Sequence, residues 1–236
     1  MSSSAFASTS FATARSSRAK QSSPPTSTLR RSMATMTFHP EHRSSSVRTR
    51  ASSASTSPTS ADAIERAKNA LLAAIEGTER GILASDEEKR KIDDLARALE
   101  ALNPNPKSLS ASCINGEWEL VYTTSASILG TNKPSFLRPS GKIYQTIDAD
   151  ALRARNRETF PFYNAVEAEL TPTSDSAVKV QFKKFYVLNG LIKVTAPDRA
   201  RGALDITFVD DTVRVSRGDK GNLFILVMHD KMKRLS

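Results

Sequence analysis

The sequence predicts a mainly β protein in which an antiparallel barrel or sandwich follows an N-terminal α-helical hairpin. Apolar residues recur at helical spacing between residues 62 and 102, and after Pro106 they instead alternate with polar residues. Short stretches rich in Gly, Asp and Asn separate the alternating segments, as hairpin connections do.

Residues 1–60 differ from the remainder in charge and composition. They contain eight basic residues, one acidic residue and 28 Ser or Thr. Such a segment is typical of an organelle transit peptide, and its Ser and Thr content favours a plastid over a mitochondrion. A disordered tail that stays attached is the alternative. We expect residues 1–50 to be the transit peptide and 51–61 a linker.

The net charge of +9 does not indicate a nucleic-acid partner, because residues 61–236 carry only +2 of it. No apolar run is long enough for a secretory signal or a membrane-spanning helix. The single cysteine, Cys113, excludes an internal disulfide. We expect this cysteine to be a small packed residue rather than a nucleophile.

Residues 62–102 are predicted to form the helical hairpin. Ser85 and Glu88 have the spacing of a capping box that begins the second helix, and Asn-Pro-Asn-Pro at 103–106 ends it. The apolar stripes consist of Ile64, Ala67, Leu71 and Ile75 in the first helix and Ile92, Leu95, Leu99 and Leu102 in the second. Acidic and basic residues are equally common on the polar faces, so packing on the β-structure is favoured over binding to a membrane surface.

The β-structure is predicted to occupy residues 107–230, so that 62–230 form one domain with a tail at 231–236. Strand-like alternation occurs at 117–124, 141–148, 166–170, 177–185, 202–210, 212–217 and 222–228, and less regularly at 152–160. A barrel of about eight strands can hold one small ligand. Residues 222–228 are apolar on both faces, so we expect the helical hairpin to cover the outer face of this strand.

Catalytic and metal-binding patterns are missing from the sequence. His229 is the only histidine after residue 60, and no nucleophile elbow, dinucleotide-binding or Walker motif occurs. We therefore expect no enzyme activity, no cofactor and no metal site.

Residues 217–219 form an Arg-Gly-Asp motif, but an adhesion motif requires an extracellular protein, and this chain has a plastid-like presequence. The overlapping Gly-Asp-Lys-Gly at 218–221 links two predicted strands, whereas a phosphate-binding loop is followed by the N-terminus of a helix. We predict instead that Asp219–Asn222 form a hairpin turn, because Gly221 and Asn222 both tolerate a positive φ.

The chain resembles the plastid-lipid-associated proteins, a family also called fibrillins or plastoglobulins. The resemblance covers residues 62–230 and includes GTERGILASDEEKRKID (77–93), NGEWELVYTTSASIL (115–129), ETFPFYN (158–164) and RVSRGDKGNLFIL (214–226). The segments YTTSASIL, ETFPFYN and KVTAPDRARGALDITF are most similar to the thylakoid-associated branch. The chain departs from the family at Phe160, where a second tryptophan is often found.

This resemblance implies a lipocalin-like antiparallel β-barrel. Lipocalins carry a G-x-W pattern in their first strand, here Gly116 and Trp118, and an arginine from a late strand lies over the tryptophan. Arg217 is the first candidate for that arginine and Arg214 the second, and a solvent-facing Arg217 is the alternative.

The resemblance also implies non-catalytic association with lipids, prenylquinones or pigments at thylakoids or plastoglobules of the chloroplast. An accessory role beside a plastid lipid-synthesis enzyme or a photosynthetic membrane complex is one alternative, and an enzyme acting on a bound lipid is another. No nucleic acid and no transmembrane helix are expected.

Two apolar segments are expected to contact lipid, because the connection after the first strand of such a barrel lies over the open mouth. The predicted contacts are Ile128, Leu129, Phe136 and Leu137 in residues 125–141, and Tyr186, Leu188, Leu191 and Ile192 in residues 185–194. Packing of both segments on the barrel or under the helices is the alternative.

Overall fold

Two long helices, one single-turn α-helix, three short 3-10 helices and nine strands occur in residues 59–235, the part of the chain that the computed structural model describes. The predicted transit peptide and most of the linker lie outside these residues. Helices α1 (Ser60–Ile75) and α2 (Asp86–Glu100) come first, and a one-turn helix α3 (Ala126–Leu129) lies between the first two strands. The strands are β1 (Gly116–Thr123), β2 (Ile143–Asp148), β3 (Arg153–Glu158), β4 (Ala165–Pro172), β5 (Ala177–Val187), β6 (Ile192–Thr195), β7 (Arg201–Val209), β8 (Val213–Gly218) and β9 (Leu223–Asp230).

Both long helices begin with a capping box. In α2 the Ser85 hydroxyl accepts from the Glu88 backbone N–H at 3.2 Å, and the Ser85 backbone N–H donates to the Glu88 carboxylate at 2.8 Å. The predicted box is therefore confirmed. Thr59 and Asp62 form the same motif at the start of α1, which therefore begins before the predicted residue 62.

Eight of the strands close into an antiparallel barrel in the order β1, β2, β3, β4, β5, β7, β8 and β9. Pairing of β4 with β5 and of β9 with β1 closes the ring. The sequence allowed a barrel or a sandwich, and closure of the sheet confirms the barrel. The short strand β6 was not predicted from the sequence. It pairs with the last four residues of β5, beyond the segment of β5 that pairs with β7.

Because neighbouring strands are antiparallel, their connections lie at two opposite ends of the barrel. One end, here called the rim end, carries residues 124–142, 159–164, 188–191 and 219–222. The other, the base end, carries residues 149–152, 173–176 and 210–212. Both segments that were predicted to contact lipid therefore lie at the rim end.

The helical hairpin packs on the outer face of β1, β7, β8 and β9. Apart from the exposed Leu102, its apolar stripes form one cluster with buried strand residues, as predicted for the cover of the last strand. Along β9, Leu223 and Ile225 belong to this cluster, whereas Phe224 and Leu226 line the barrel interior. The cluster includes Leu71, Ile75, Ile92 and Leu99 from the helices and Tyr122, Phe208, Val213, Val215, Leu223 and Ile225 from the strands.

Ion pairs also attach each helix to the barrel. The Lys68 ammonium on α1 is buried and donates to the Asp210 carboxylate at 2.7 Å and to the Thr212 hydroxyl at 2.8 Å. From β8, Arg217 donates to Asp93 at 2.7 Å and to Glu100 at 2.8 Å, both on α2.

The Lys68–Asp210 pair should make stability depend on acid pH. Burial opposes ionisation, but hydrogen bonds from Lys68 and from the Val213 and Thr212 backbone lower the pKa of Asp210 below 3.8. A lowered folded-state pKa stabilises the protein above the unfolded pKa, and this contribution is lost as pH falls through the folded value. In urea titrations at pH 7 and pH 3, we expect Asp210→Asn to be destabilised by about 1–3 kcal/mol at pH 7 and by less at pH 3.

Asp211→Asn is the matched control for this change. Asp211 is adjacent in sequence, but it is exposed and pairs with the half-exposed Lys231. Exposed pairs contribute about 0–1 kcal/mol, so the control should resemble wild type at both pH values. Equal destabilisation of the Asp210 variant at pH 7 and pH 3 would contradict the argument.

Candidate functional site

The barrel encloses a cavity of about 450 Å³, within the range of about 300–1,000 Å³ that is usual for small-molecule sites. All eight barrel strands contribute to its wall, because every second side chain along a strand points inward. Most of these side chains are aliphatic, among them Leu120, Ile147, Val166, Val180, Leu204 and Leu226. Such a wall suits an apolar molecule.

The segment from Ser108 to Ile114 packs against the base end of the barrel. The Ser108 hydroxyl donates to the Ile206 carbonyl at 2.8 Å, and the Leu109 N–H donates to the Asp175 carbonyl at 3.0 Å. Ile114 accepts a 3.0 Å hydrogen bond from the indole N–H of Trp118, the only tryptophan in the chain. These bonds hold the segment in place across the ends of β1, β5 and β7.

The structure explains why Gly116 and Trp118 of the predicted G-x-W pattern occupy their positions. At Gly116 φ is +127°, and a Cβ atom would lie 2.8 Å from the Asp230 carbonyl oxygen, so only glycine allows β1 and β9 to approach this closely. Trp118 is fully buried in the base-end cluster with Ile114, Ile147 and Leu226.

Arg214, not Arg217, lies over the tryptophan. Its guanidinium carbon is 5.0 Å from the centre of the Trp118 ring, whereas Arg217 pairs with Asp93 and Glu100 on the outer face of β8. The first candidate is therefore wrong and the second is correct, and the solvent-facing alternative for Arg217 is also wrong. The two arginines are three residues apart in a strand, so they must point to opposite faces.

Arg214 belongs to a polar chain that crosses the aliphatic interior. It donates through Nη2 to the Gln145 side-chain oxygen, and the Gln145 amide donates to Asn156 at 2.9 Å. Arg214 Nε, Arg214 Nη1 and the hydroxyl of Ser216 have no hydrogen-bond partner among the described residues. Arg214 and Ser216 are both 0% exposed and line the cavity.

The guanidinium of Arg214 has no carboxylate among its hydrogen-bond partners. Burial lowers the pKa of Arg214 to about 9, so the side chain is cationic at neutral pH. A cation–π contact contributes about 0.5–2 kcal/mol, whereas removing an ion from water costs several kcal/mol. The indole therefore offsets only part of the cost of burying this cation.

The structure places the predicted lipid contacts in two kinds of surroundings. Ile128 lines the cavity and Leu129 is buried, while the Tyr186 ring is half-buried beneath the Arg155 guanidinium, 5.3 Å away. The others are exposed at the rim end, with Phe136 at 74% and Leu191 at 85%. The remaining exposed members are Leu137, Leu188 and Ile192.

Three further exposed apolar residues at the rim end, Phe160, Tyr163 and Val194, were missed. Two hydrogen bonds join the connection that carries Phe160 and Tyr163 to the predicted segments, from the Asn189 N–H to the Phe162 carbonyl at 3.1 Å and from the Gly141 N–H to the Phe160 carbonyl at 3.2 Å. Val194 lies on β6, within the second predicted segment. The aromatic run of ETFPFYN, placed between two strands, was the signal for two of them. We call this group the rim surface: Phe136, Leu137, Phe160, Tyr163, Leu188, Leu191, Ile192 and Val194.

Asp219–Asn222 form the predicted hairpin turn between β8 and β9. The Gly218 N–H donates to the Asn222 carbonyl at 2.9 Å, and Gly221 has a φ of +73°. Asp219 and Asn222 also line the cavity. The Arg-Gly-Asp motif thus combines a residue that holds α2 with the start of a turn.

Comparison with known proteins supports the resemblance. Residues 65–227 match the family model described as PAP_fibrillin. The probable plastid-lipid-associated protein 5 (chloroplastic) of Arabidopsis thaliana is 49% identical over 71% of each chain. The chromoplast-specific carotenoid-associated protein C1 of an Oncidium hybrid cultivar is 26% identical over 68% of each chain. None of the helices within residues 59–235 is long and apolar enough to cross a membrane.

Proposed function

Because this chain belongs to the fibrillin family of plastid-lipid-associated proteins, we propose that it binds plastid membranes or plastoglobules through the rim surface and holds a lipid in its barrel. Membership of this family supports a structural role for the chain in association with plastid lipids. The relatives' names also link them to chloroplasts, chromoplasts and, for one of them, carotenoids. A ligand of the lipid class therefore suits this chain.

The observation that carries the proposal is that one connection serves both the cavity and the rim surface. In residues 124–142, Ile128 lines the cavity while Phe136 projects into solvent. A lipid leaving a membrane at the rim surface would meet the apolar lining directly. The alternative, in which both segments only pack on the barrel, leaves this exposure without a reason.

Apolar contact should dominate the attraction to the membrane. Each large apolar side chain that enters lipid contributes about 1.5–3 kcal/mol when fully buried, and the rim surface holds several such side chains. Residues 124–142 carry Lys133 and Arg138, whereas Lys142 forms a 2.8 Å ion pair with Glu119. Each cation free to meet an anionic surface adds roughly 1 kcal/mol. Binding should therefore persist at high salt.

We propose a non-catalytic role. The polar groups beside Arg214 in the cavity are the amides of Gln145 and Asn156 and the hydroxyl of Ser216, and none of them is a general base near neutral pH. The carboxylates in the wall, Asp175 and Asp219, lie in connections at opposite ends of the barrel. The names of the relatives describe lipid association and no reaction.

Replacing two rim residues should weaken membrane binding without unfolding the protein. Phe136→Ser/Leu191→Ser removes the two most exposed members of the rim surface, and we expect at least about a tenfold loss in flotation with liposomes of plastid lipids. Serine at Ile128 or Leu129 would be a poorer test, because both side chains contribute to the interior.

Met232→Ser is the control for this test, because Met232 is 83% exposed but follows β9 at the base end. It should float as wild type does. Equal flotation of the folded double variant would reject the rim surface as the membrane contact. Loss of wild-type binding in about 0.5 M salt would show that charge, and not apolar contact, holds the protein.

We also propose that residues 1 to about 50 are removed on import into the plastid. The break in charge and in Ser and Thr content near residue 60 supports this cut. N-terminal sequencing of the protein from isolated plastids should find a start near residue 51. Recovery of intact Met1 in the mature protein would contradict the proposal.

A further inference from the structure

Two side chains inside the barrel offer donors that the protein itself does not use. Arg214 keeps Nε and Nη1 without an acceptor, and the Ser216 hydroxyl has no partner among residues 59–235. Both residues are fully buried and both line the cavity. Buried polar atoms are normally hydrogen-bonded, so a group of unused donors on one wall calls for an explanation.

The contact with Trp118 does not account for these donors. A cation–π contact uses the face of the guanidinium, here 5.0 Å above the indole. The N–H groups of arginine lie in the guanidinium plane and point away from that contact. Gln145 accepts from Nη2 only and cannot neutralise the charge.

The complementary ligand group is a small planar anion. Guanidinium groups bind carboxylates and phosphates through paired hydrogen bonds, and an acid group would also neutralise the buried charge. The rest of the wall is mainly aliphatic, so the remainder of the ligand must be a hydrocarbon. A cavity of about 450 Å³ is near the lower end of the usual range of about 300–1,000 Å³, which favours one chain over a diacyl lipid.

We propose that the barrel binds a single-chain lipid with a carboxylate head, which Arg214 and Ser216 hold. This inference rests on the proposed function, because it requires a ligand in the cavity. The register places Arg214 opposite Leu226 and Ser216 opposite Phe224, so Ser216 lies nearer the rim end. The head is therefore deep in the barrel, and the chain extends towards Ile128 and the rim surface.

Trp118 provides the measurement, because it is the only tryptophan and lies beneath the proposed head site. Delipidated full-length protein is titrated with hexadecanoate and with hexadecan-1-ol, both below their micellar concentrations. We expect the acid to bind at least about tenfold more tightly than the alcohol, as hydrogen bonds to a charged group provide. Neutral groups such as the alcohol satisfy the donors but leave the charge unpaired.

Three variants separate the head site from the apolar wall. Arg214→Gln should abolish the preference for the acid and leave alcohol binding within about twofold, because the glutamine amide still offers an N–H donor to a hydroxyl and the aliphatic wall is unchanged. Ser216→Ala removes one donor and should weaken acid binding by a few-fold, on the order of 3–10. Arg217→Gln is the control on the outer face of the same strand, and it should keep the wild-type preference.

Quenching by brominated hexadecanoates tests the orientation without any variant. Bromine near the carboxylate should quench Trp118 more strongly than bromine at the methyl end. This result and the preference of wild type for the acid test the head site even if Arg214→Gln does not fold.

Equal wild-type affinity for acid and alcohol, or stronger quenching by the methyl-end bromine, would overturn the head site while leaving lipid in the cavity. The head site would also be overturned if Ser216→Ala and Arg214→Gln preferred the acid over the alcohol as strongly as wild type does. If neither probe binds, the proposed cavity ligand itself fails, and the rim surface remains as a separate claim tested by flotation.

Discussion

Trp118→Ala should lower the free energy of unfolding by about 3–5 kcal/mol, as truncation of a large buried aromatic does. Trp118 is fully buried, its indole N–H bonds the Ile114 carbonyl at 3.0 Å, and its ring lies beneath the guanidinium of Arg214. Alanine would leave a cavity, an unpaired carbonyl and a buried cation without its aromatic partner. Each of these three changes would lower the free energy of unfolding.

Urea denaturation followed by circular dichroism measures this loss without relying on tryptophan fluorescence. Phe136→Ala is the control, because Phe136 is 74% exposed and its truncation should change stability by less than about 0.5 kcal/mol. A loss below about 1 kcal/mol for Trp118→Ala would mean that the base of the barrel does not depend on this residue.

Leu99→Ala should cost about 2–5 kcal/mol, because it opens a cavity between α2 and the barrel. Leu99 is fully buried in the cluster that joins the helical hairpin to β8 and β9. The same cluster covers the outer apolar face of β9. We therefore expect the variant to bind a hydrophobic dye more strongly than wild type does when the hairpin loosens.

Leu102→Ala provides the comparison. Leu102 belongs to the same predicted stripe, but it lies just after α2 and is 37% exposed, so its truncation should cost less than about 1 kcal/mol. Equal losses for the two variants in urea titrations would contradict docking of α2 through the face that contains Leu99.

Features encoded by neighbouring residues were predictable. The capping box of Ser85 and Glu88, the Asp219–Asn222 turn and the alternating strands all depend on contacts within a few residues. The cover on β9 was also predictable, because a strand with apolar side chains on both faces must be buried on both. The missed strand β6 has only four exposed residues, and it forms because β5 extends beyond β7 and offers it an edge.

The candidate site likewise contains features that the sequence predicted and features that it did not predict. The apolar content of residues 125–141 indicated a lipid contact, but the sequence did not show that Ile128 would line the cavity and Phe136 would be exposed. That difference arises from the one-turn helix α3, which turns Ile128 inward before the chain continues to Phe136. Phe160 and Tyr163 join the rim surface because hydrogen bonds bring a third connection beside the other two.

The sequence by itself determined the helical hairpin, most strands, the turn at Asp219 and the family, because each depends on local spacing or on motifs in order. Only the tertiary structure decided which arginine lies over Trp118. Arg214 and Arg217 both occur on β8, and the choice depends on which face of that strand closes the barrel. Closure directs Arg214 inward, towards Gln145 and Ser216, and Arg217 outward to Asp93 and Glu100. Strand β8 therefore supplies both the buried cation of the cavity and the ion pairs that hold α2. Only the pairing of strands distant in sequence, which closes the barrel, determines which arginine has which role.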